Sequence, residues 1–273
     1  MRVLIWAKTY PELSERYRET VCTAGCTEDG EPVRLYPVPL RYLAEVERYS
    51  LYDWVEVPTA RNTSDGRPES YKVIGEIRPS GKESTGRGWD DRRRYVFMNP
   101  HWHYDCVEEL RAGQRIDKRS LGFVRVGAVQ RVWVKQRDAI LADKHHHKLE
   151  ELKRRGALFD EIRHLAFQPF RVHVEWTCAG NPVQGGCPGH TAGIFDWGLG
   201  ELGRRKGAEV ALERMQMLCD PNRHELGFFL GNFKAHPTNF GIIGMWYPTK
   251  AAVGKEEMER AARAAQGDLF GIT

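Results

Sequence analysis

Apolar and polar residues alternate in two different rhythms along the 273-residue chain. Up to about residue 136 the apolar positions come in short runs divided by turn residues. That pattern predicts strands at residues 3–7, 33–38, 52–57, 71–77 and 129–135. Asp29 and Gly30 in TEDGEPVRLYPV mark a tight turn leading into one of them, while NTSDGRPES and RPSGKESTGRG are loops by composition. Asp105 is placed to cap a short helix reaching Leu110. Over residues 137–155 the rhythm lengthens: Ile140, Leu141, Leu149 and Leu152 recur at helical spacing among charges, as in a largely exposed helix. FRVHVEWTC then alternates strictly, with Val172, Val174, Trp176 and Cys178 on one face and Arg171, His173, Glu175 and Thr177 on the other. A helix over 202–218 presents Ala208, Ala211, Leu212, Met215 and Leu218 as a stripe. GFFLGN and FGIIGMWYP read as paired strands around FKAHPT, and residues 255–265 as a last, mostly polar helix.

These rhythms predict an α+β chain of two lobes. A β-rich N-terminal lobe spans 1–136, a connecting helix lies in 137–165, and a mixed C-terminal lobe over 166–255 is built around a metal site. A helix and an exposed tail occupy 256–273. The length suffices for sizeable cores. No apolar run approaches the length of a membrane span. The opening MRVLIWAKTYPE has five apolar residues before its lysine, too few for a secretion signal. The expectation is a cytoplasmic protein without a membrane partner. In that reducing setting the six cysteines are free or metal-bound rather than paired.

The most pointed chemistry is CAGNPVQGGCPGH, which places Cys178, Cys187 and His190 within thirteen residues. CPGH has the form of a metal knuckle: proline and glycine bend the chain so that two ligands face one ion, with amides left to bond the thiolate. A closed site needs a fourth ligand, and CTAGC offers Cys22 or Cys26. Either completes a Cys3His set for zinc. Cys22, Cys26, Cys178 and Cys187 together would suit zinc or an iron–sulfur cluster. Cys219 lies on an apolar helical stripe and reads as packing. Cys106 stands near His101 and His103, a possible small metal site, but the stretch reads better as the polar entrance to a helix. The three histidines of KHHHK point around a helix and read as a solvated face.

The net charge of +4 moves the picture little; its distribution says more. STGRGWDDRRRYVFMNPHWHY interleaves Arg87, Arg92, Arg93 and Arg94 with Trp89, Tyr95, Trp102 and Tyr104. Guanidinium groups suit phosphates and aromatic faces stack on unpaired bases. In VQRVWVK, with Ala128, Gln130, Val132 and Val134 facing inward, Arg131, Trp133 and Lys135 form a cation–aromatic–cation ladder suited to a single strand or a flipped base. The expected partner is nucleic acid, DNA before RNA. There is no nucleotide-binding fingerprint, phosphate loop, serine elbow or paired-histidine helix, so no catalytic set is assigned. The alternatives are a metal-dependent nuclease or base-processing enzyme using Glu175, Asp196 or His190, an RNA-binding protein, and a redox enzyme using Cys22 or Cys187.

Near the C-terminus, Gln266, Asp268, Leu269 and Phe270 in QGDLF resemble the pentapeptide with which bacterial DNA polymerases and repair proteins bind the sliding clamp. The resemblance covers five residues and departs at Gly267, where the pattern prefers leucine. It implies a sliding-clamp partner and work on DNA in repair, replication or defence. Leucine and phenylalanine would anchor in an apolar pocket while glutamine fixes the register.

Overall fold

A computed structural model describes residues 1–14, 18–63, 65–83, 89–156, 165–180 and 186–254. Its first sheet is built from β1 (Arg2–Lys8), β2 (Glu12–Ser14), β3 (Arg18–Cys26), β4 (Pro32–Val38), β5 (Asp53–Glu56), β6 (Thr59–Arg61), β7 (Ser70–Val73) and β8 (Arg78–Lys82). The order across it is β6-β7-β4-β3-β1-β5-β8, with β2 paired to β3. Then come α1 (Asp90–Val96), β9 (His103–Tyr104), α2 (Val107–Asp117), β10 (Leu121–Gln136), α3 (Ala139–Gly156), β11 (Phe170–Cys178) and β12 (His190–Gly193). The chain continues through α4 (Trp197–Lys206), α5 (Ala208–Leu218), β13 (Gly227–Phe233) and β14 (His236–Trp246). The second sheet runs β12-β11-β10-β13-β14, with β9 against β10. A parallel bridge from Ile194 to Ile242 brings its two ends together.

The architecture is α+β, with a strand-rich N-terminal part and a mixed C-terminal part that carries a Cys/His group. Among the described residues no helix is long and apolar enough to cross a membrane. β1 is apolar without alternation because both of its faces are covered. Val3 and Ile5 pack with Val21, Leu35 and Val55 on one side. Leu4, Trp6 and Ala7 pack on the other with Trp102, Phe123 and Phe229, in the core between the sheets. A third core, around Val172, Val174, Trp176, Phe228 and Met215, fills the C-terminal part.

Several expected elements change in form. β3, carrying RETVCTAGC, lacks a run of large apolar residues and gives little strand signal; it is extended because it lies between β1 and β4 and bonds to both. β7 ends at Val73, well short of 77. The helix expected over 202–218 is two helices, since Gly207 takes φ +97°, a left-handed conformation that ends α4 and redirects the chain into α5. β10 starts at Leu121, so the expected 1–136 lobe contributes β9 and β10 to the second sheet. It also changes neighbours along its length: Leu121–Arg125 pair with β13, and Val126 onward pairs with β11. Irregularities between Val126 and Ala128 and between Val129 and Arg131 shift its inward set to Val129, Val132 and Val134, and leave Ala128 and Gln130 exposed. The helix expected over 255–265 lies outside the described residues.

The two sheets are joined by three rings. Trp6 of β1 stacks on Trp102 at 5.1 Å and 12° and on Phe229 of β13 at 4.5 Å and 23°. Trp6→Ala is expected to lower unfolding free energy by about 3–5 kcal/mol in denaturant titrations, because it opens a hole that both sheets line. A loss below about 1 kcal/mol would mean that the sheets do not depend on this contact.

Candidate metal centre

Four side chains from three segments meet at one end of β11: Cys106, Cys178, Cys187 and His190. β11 ends with Cys178 on its inward face, as its alternation requires. The CPGH turn then delivers Cys187 and leads into β12 with His190, whose backbone lies opposite Trp176. Cys106 is the N-cap of α2. Gly180 makes the approach possible. A Cβ there would fall 2.4 Å from that of Asp105, so only glycine lets the end of β11 lie this close to the start of α2.

The four donor atoms all lie within 4.8 Å of one another. His190 Nε2 is 3.1 Å from Cys106 Sγ and 3.1 Å from Cys187 Sγ, and the two sulfurs are 3.7 Å apart. A tetrahedral ion with metal–sulfur bonds of about 2.3 Å holds its sulfurs about 3.8 Å apart. Backbone amides supply the second layer: Cys178 N donates to Cys187 Sγ at 3.2 Å, and the amides of Val107 and Glu108 bond the sulfurs of Cys178 and Cys106. The last two amides belong to the positive end of α2, which favours thiolate. His190 Nδ1 points toward Glu108, 3.9 Å from Oε1, the side on which a ligating imidazole usually finds its outer partner.

Burial raises the thiol pKa of Cys106 and Cys178. Burial also opposes ionisation of Cys187, but amides of Cys178 and Gly189 and the two neighbouring thiols bring it below the ordinary value. Three sulfurs and an imidazole packed this closely and largely buried form a donor set that a cation would satisfy.

Three of the five expected ligands are in the group; the fourth member is Cys106, not Cys22 or Cys26. Those two lie on β3 in the first sheet. Cys22 Sγ accepts from Arg34 Nη1 at 2.9 Å. Cys26 is buried among apolar side chains, which pushes its thiol up to about 12. In the sequence Cys106 reads as part of a polar helix entrance rather than as a ligand, with His101 and His103 its only candidate companions; the structure makes it a member of the donor group. His101 and His103 proved not to be its companions: His103 bonds to Val96 O at 2.8 Å, and burial lowers its pKa to about 4. Cys219 packs against the C-terminal core. Of the three consecutive histidines, His146 and His147 are exposed, while His145 turns inward to Leu165 O at 2.8 Å.

The arginine-rich stretch divides. Arg87 lies outside the described residues. Arg92 is buried, with its guanidinium 3.9 Å above the ring of Tyr52 and 4.7 Å from that of Trp89. Trp89 itself packs edge-on against Trp246 at 4.9 Å. Arg93 Nη2 pairs with Glu225 at 2.9 Å. Only Arg94 of the three is exposed. Burial among aromatic rings and pairing with a carboxylate thus remove Arg92 and Arg93 from the phosphate-contacting role expected of them.

On β10, by contrast, the ladder stands on the outer face. Arg131 lies 4.9 Å over Trp133, Trp133 stacks on His173 at 5.5 Å and 29°, and Lys135 is opposite Arg171. The carboxylates considered for nuclease chemistry do not converge. Glu175 is exposed opposite Arg131. Asp196 caps α4 through Leu199 N at 2.8 Å, and burial pushes its carboxyl up to about 6. His190 belongs to the sulfur cluster. Gln266, Asp268, Leu269 and Phe270 lie outside the described residues.

Residues 1–98 match the family model described as Domain of unknown function (DUF8758). Residues 103–266 match the one described as Domain of unknown function (DUF8757). No curated protein matches the chain. All four members of the Cys/His group fall within the second match.

Cys106→Ser and Cys187→Ser are each expected to abolish stoichiometric metal content by plasma emission analysis and to lower the melting temperature. Cys22→Ser and Cys26→Ser should leave metal content unchanged. A chelator strong enough to strip the ion should reproduce the thermal shift, because metal-binding energy at such a site is also folding energy. Metal-free protein that melts at the same temperature as metal-loaded protein would refute a structural role.

Proposed function

The chain belongs to the DUF8757 family, and we propose that it is a zinc-stapled, DNA-associated protein of a bacterial repair, replication or defence process. It holds an unpaired strand on the outer face of β10 and β11, works in the cytoplasm, and is tethered to the sliding clamp by its C-terminal tail. The observation that carries this reading is the ladder. Trp133 is half-exposed, has cations on both sides along its strand, and rests on His173. A base can stack on such an indole while Arg131 and Lys135 meet the neighbouring phosphates. Every base offers a π-face, so the platform would be tolerant of sequence.

Zinc is the ion favoured by the donor chemistry. Three thiolates and one imidazole make a closed tetrahedral set, and separations under 4.8 Å leave room for one ion rather than a multi-iron cluster. Four protein ligands leave no open position, which supports a structural role over a catalytic one. Free thiols elsewhere in the chain fit a reducing compartment.

Trp133→Ala is expected to weaken binding of a single-stranded DNA oligonucleotide by about 1–3 kcal/mol. Arg131→Gln with Lys135→Gln should weaken binding across sequences and reduce the salt dependence by roughly one unit of slope per charge. Arg92→Ala should instead lower stability. Absence of DNA affinity at low salt would sink the proposal, and a clear preference for RNA in competition would redirect it.

The tail gives a separate test. Deleting residues 266–273 should abolish binding to a bacterial sliding clamp without changing the melting temperature. A QGDLF peptide should compete with the intact protein, and Gly267→Leu should tighten the interaction by adding an apolar contact and lowering the entropy of ordering. If Phe270→Ala destabilises the protein by roughly 3–5 kcal/mol, as a core truncation does, the tail is structural and the tether is wrong.

A further inference from the structure

Two neighbouring hollows share Tyr10, Glu12 and Phe195, which line both of them. The larger, about 380 Å³, lies between the first sheet and the β13–β14 turn and is walled by the rings of Tyr10, Tyr36, Phe195 and Phe233. Its volume is in the range of about 300–1,000 Å³ typical of small-molecule sites. The smaller, about 210 Å³, is lined by Arg137, Arg171, Lys144 and Lys148 against the single carboxylate of Glu12. The larger sets its four rings among mixed charges, with Arg34, Arg67 and Lys72 against Glu12 and Asp65, while the smaller has four cations to one carboxylate.

The cationic hollow has an unmet need for an anion. Arg171 lies flat on Phe195, its guanidinium carbon 3.8 Å from the ring centroid. Among the described residues its side chain makes no hydrogen bond and no ion pair. Burial, and then repulsion from Arg137, hold its pKa down to about 10; Glu12 offsets them only from beyond ion-pair distance. Two partly buried guanidinium groups of like charge, flanked by two lysines on α3, make a geometry suited to a bound phosphate.

The aromatic hollow offers a polar edge as well. Arg34 is 3% exposed and lines the wall. Its Nε and Nη2 donate to Ser120 Oγ at 3.3 Å and Ser120 O at 2.8 Å. Its Nη1 has only the sulfur of Cys22, a weak acceptor. Asn232 is 4% exposed on the opposite side, its Nδ2 bonded to Pro237 O at 2.9 Å and its Oδ1 to Arg67 Nη1 at 3.3 Å. A ligand with a flat π-face, an acceptor edge toward Arg34 and an attached anion would complement the rings, Arg34 and Arg171.

We infer that the paired hollows take one nucleotide of an unpaired strand, with the base between the aromatic rings and its phosphate on Arg137 and Arg171. The inference rests on the nucleic-acid reading of the ladder, and the two share β11. Arg171 is opposite Lys135, and His173, under Trp133, is two residues further along the same face. A strand lying on the ladder therefore passes the mouth of the hollows. Turning out one base costs least when it is already unpaired.

The test uses the full chain, titrated calorimetrically with 5′-dTMP, 5′-dAMP and inorganic phosphate, and by anisotropy with a labelled thymidylate dodecamer. A deoxynucleotide should bind once per chain and more tightly than inorganic phosphate. Arg171→Gln should weaken mononucleotide and dodecamer alike by about tenfold or more. Lys144→Gln with Lys148→Gln should do the same in direction, at positions outside the core. Phe233→Ala should weaken both probes, whereas Trp133→Ala should weaken only the dodecamer. Inorganic phosphate binding as well as the nucleotides overturns the base cavity. Dodecamer binding that needs Trp133 but ignores the cavity variants also overturns it and leaves the ladder standing. Mononucleotide binding with no affinity for the dodecamer sinks the ladder and also overturns an unpaired strand as the occupant of the hollows.

Discussion

Everything in this molecule is placed relative to the contact of Trp6 with Trp102 and Phe229. The three rings come from β1, an interior strand of the first sheet, from the turn after α1 and from a strand of the second sheet. Each aromatic ring buries roughly 150–250 Å², more than an aliphatic side chain, so one such cluster can hold two sheets in a fixed relation. Phe123, which lies 5.2 Å from Phe229, extends the same core into β10. Because Trp102 is fixed there, the next few residues have little choice of path, and Cys106 arrives at the end of β11.

The period of a β-strand then lets β11 serve several purposes. Its inward residues, Phe170 through Cys178, fill the C-terminal core and end in a sulfur ligand. Its outward residues carry Arg171 and His173 to the face shared with β10. A metal at the Cys/His group would pin the end of that strand to α2 and so stiffen the surface on which the ladder stands. The ladder face and the Cys/His group share this one strand without touching each other.

Arginines of similar sequence context have opposite fates here. Arg92 gives its charge to the π-faces of Tyr52 and Trp89 inside the protein, and Arg93 gives its charge to Glu225. Arg171 also lies on a ring, but among cations and next to a hollow. Proximity in sequence to aromatic residues does not separate these cases. What does is whether a carboxylate or a closed aromatic box reaches the guanidinium.

The sequence by itself determined the features that depend on local periodicity and turn chemistry. The alternation of FRVHVEWTC, the β13–β14 pair, the turn at Asp29 and Gly30, the α+β class and three of the four sulfur and imidazole donors were all legible. So was the outward face of Arg131, Trp133 and Lys135. The tertiary structure decided whatever depends on partners distant in the chain. β3 is a strand because β1 and β4 hold it, although its own residues are small and weakly apolar. Irregular pairing with β11 turned Val129 inward and Gln130 outward, against simple alternation. Cys106 completes the donor set because Gly180 lets two backbones meet across more than seventy residues of sequence. Cys22 and Cys26, equally plausible as letters, are ruled out only by the sheet in which they lie. Local patterns are set by interactions within a few residues and can be read from the chain, whereas a closed coordination sphere is set by packing between segments, which no spacing in the sequence records.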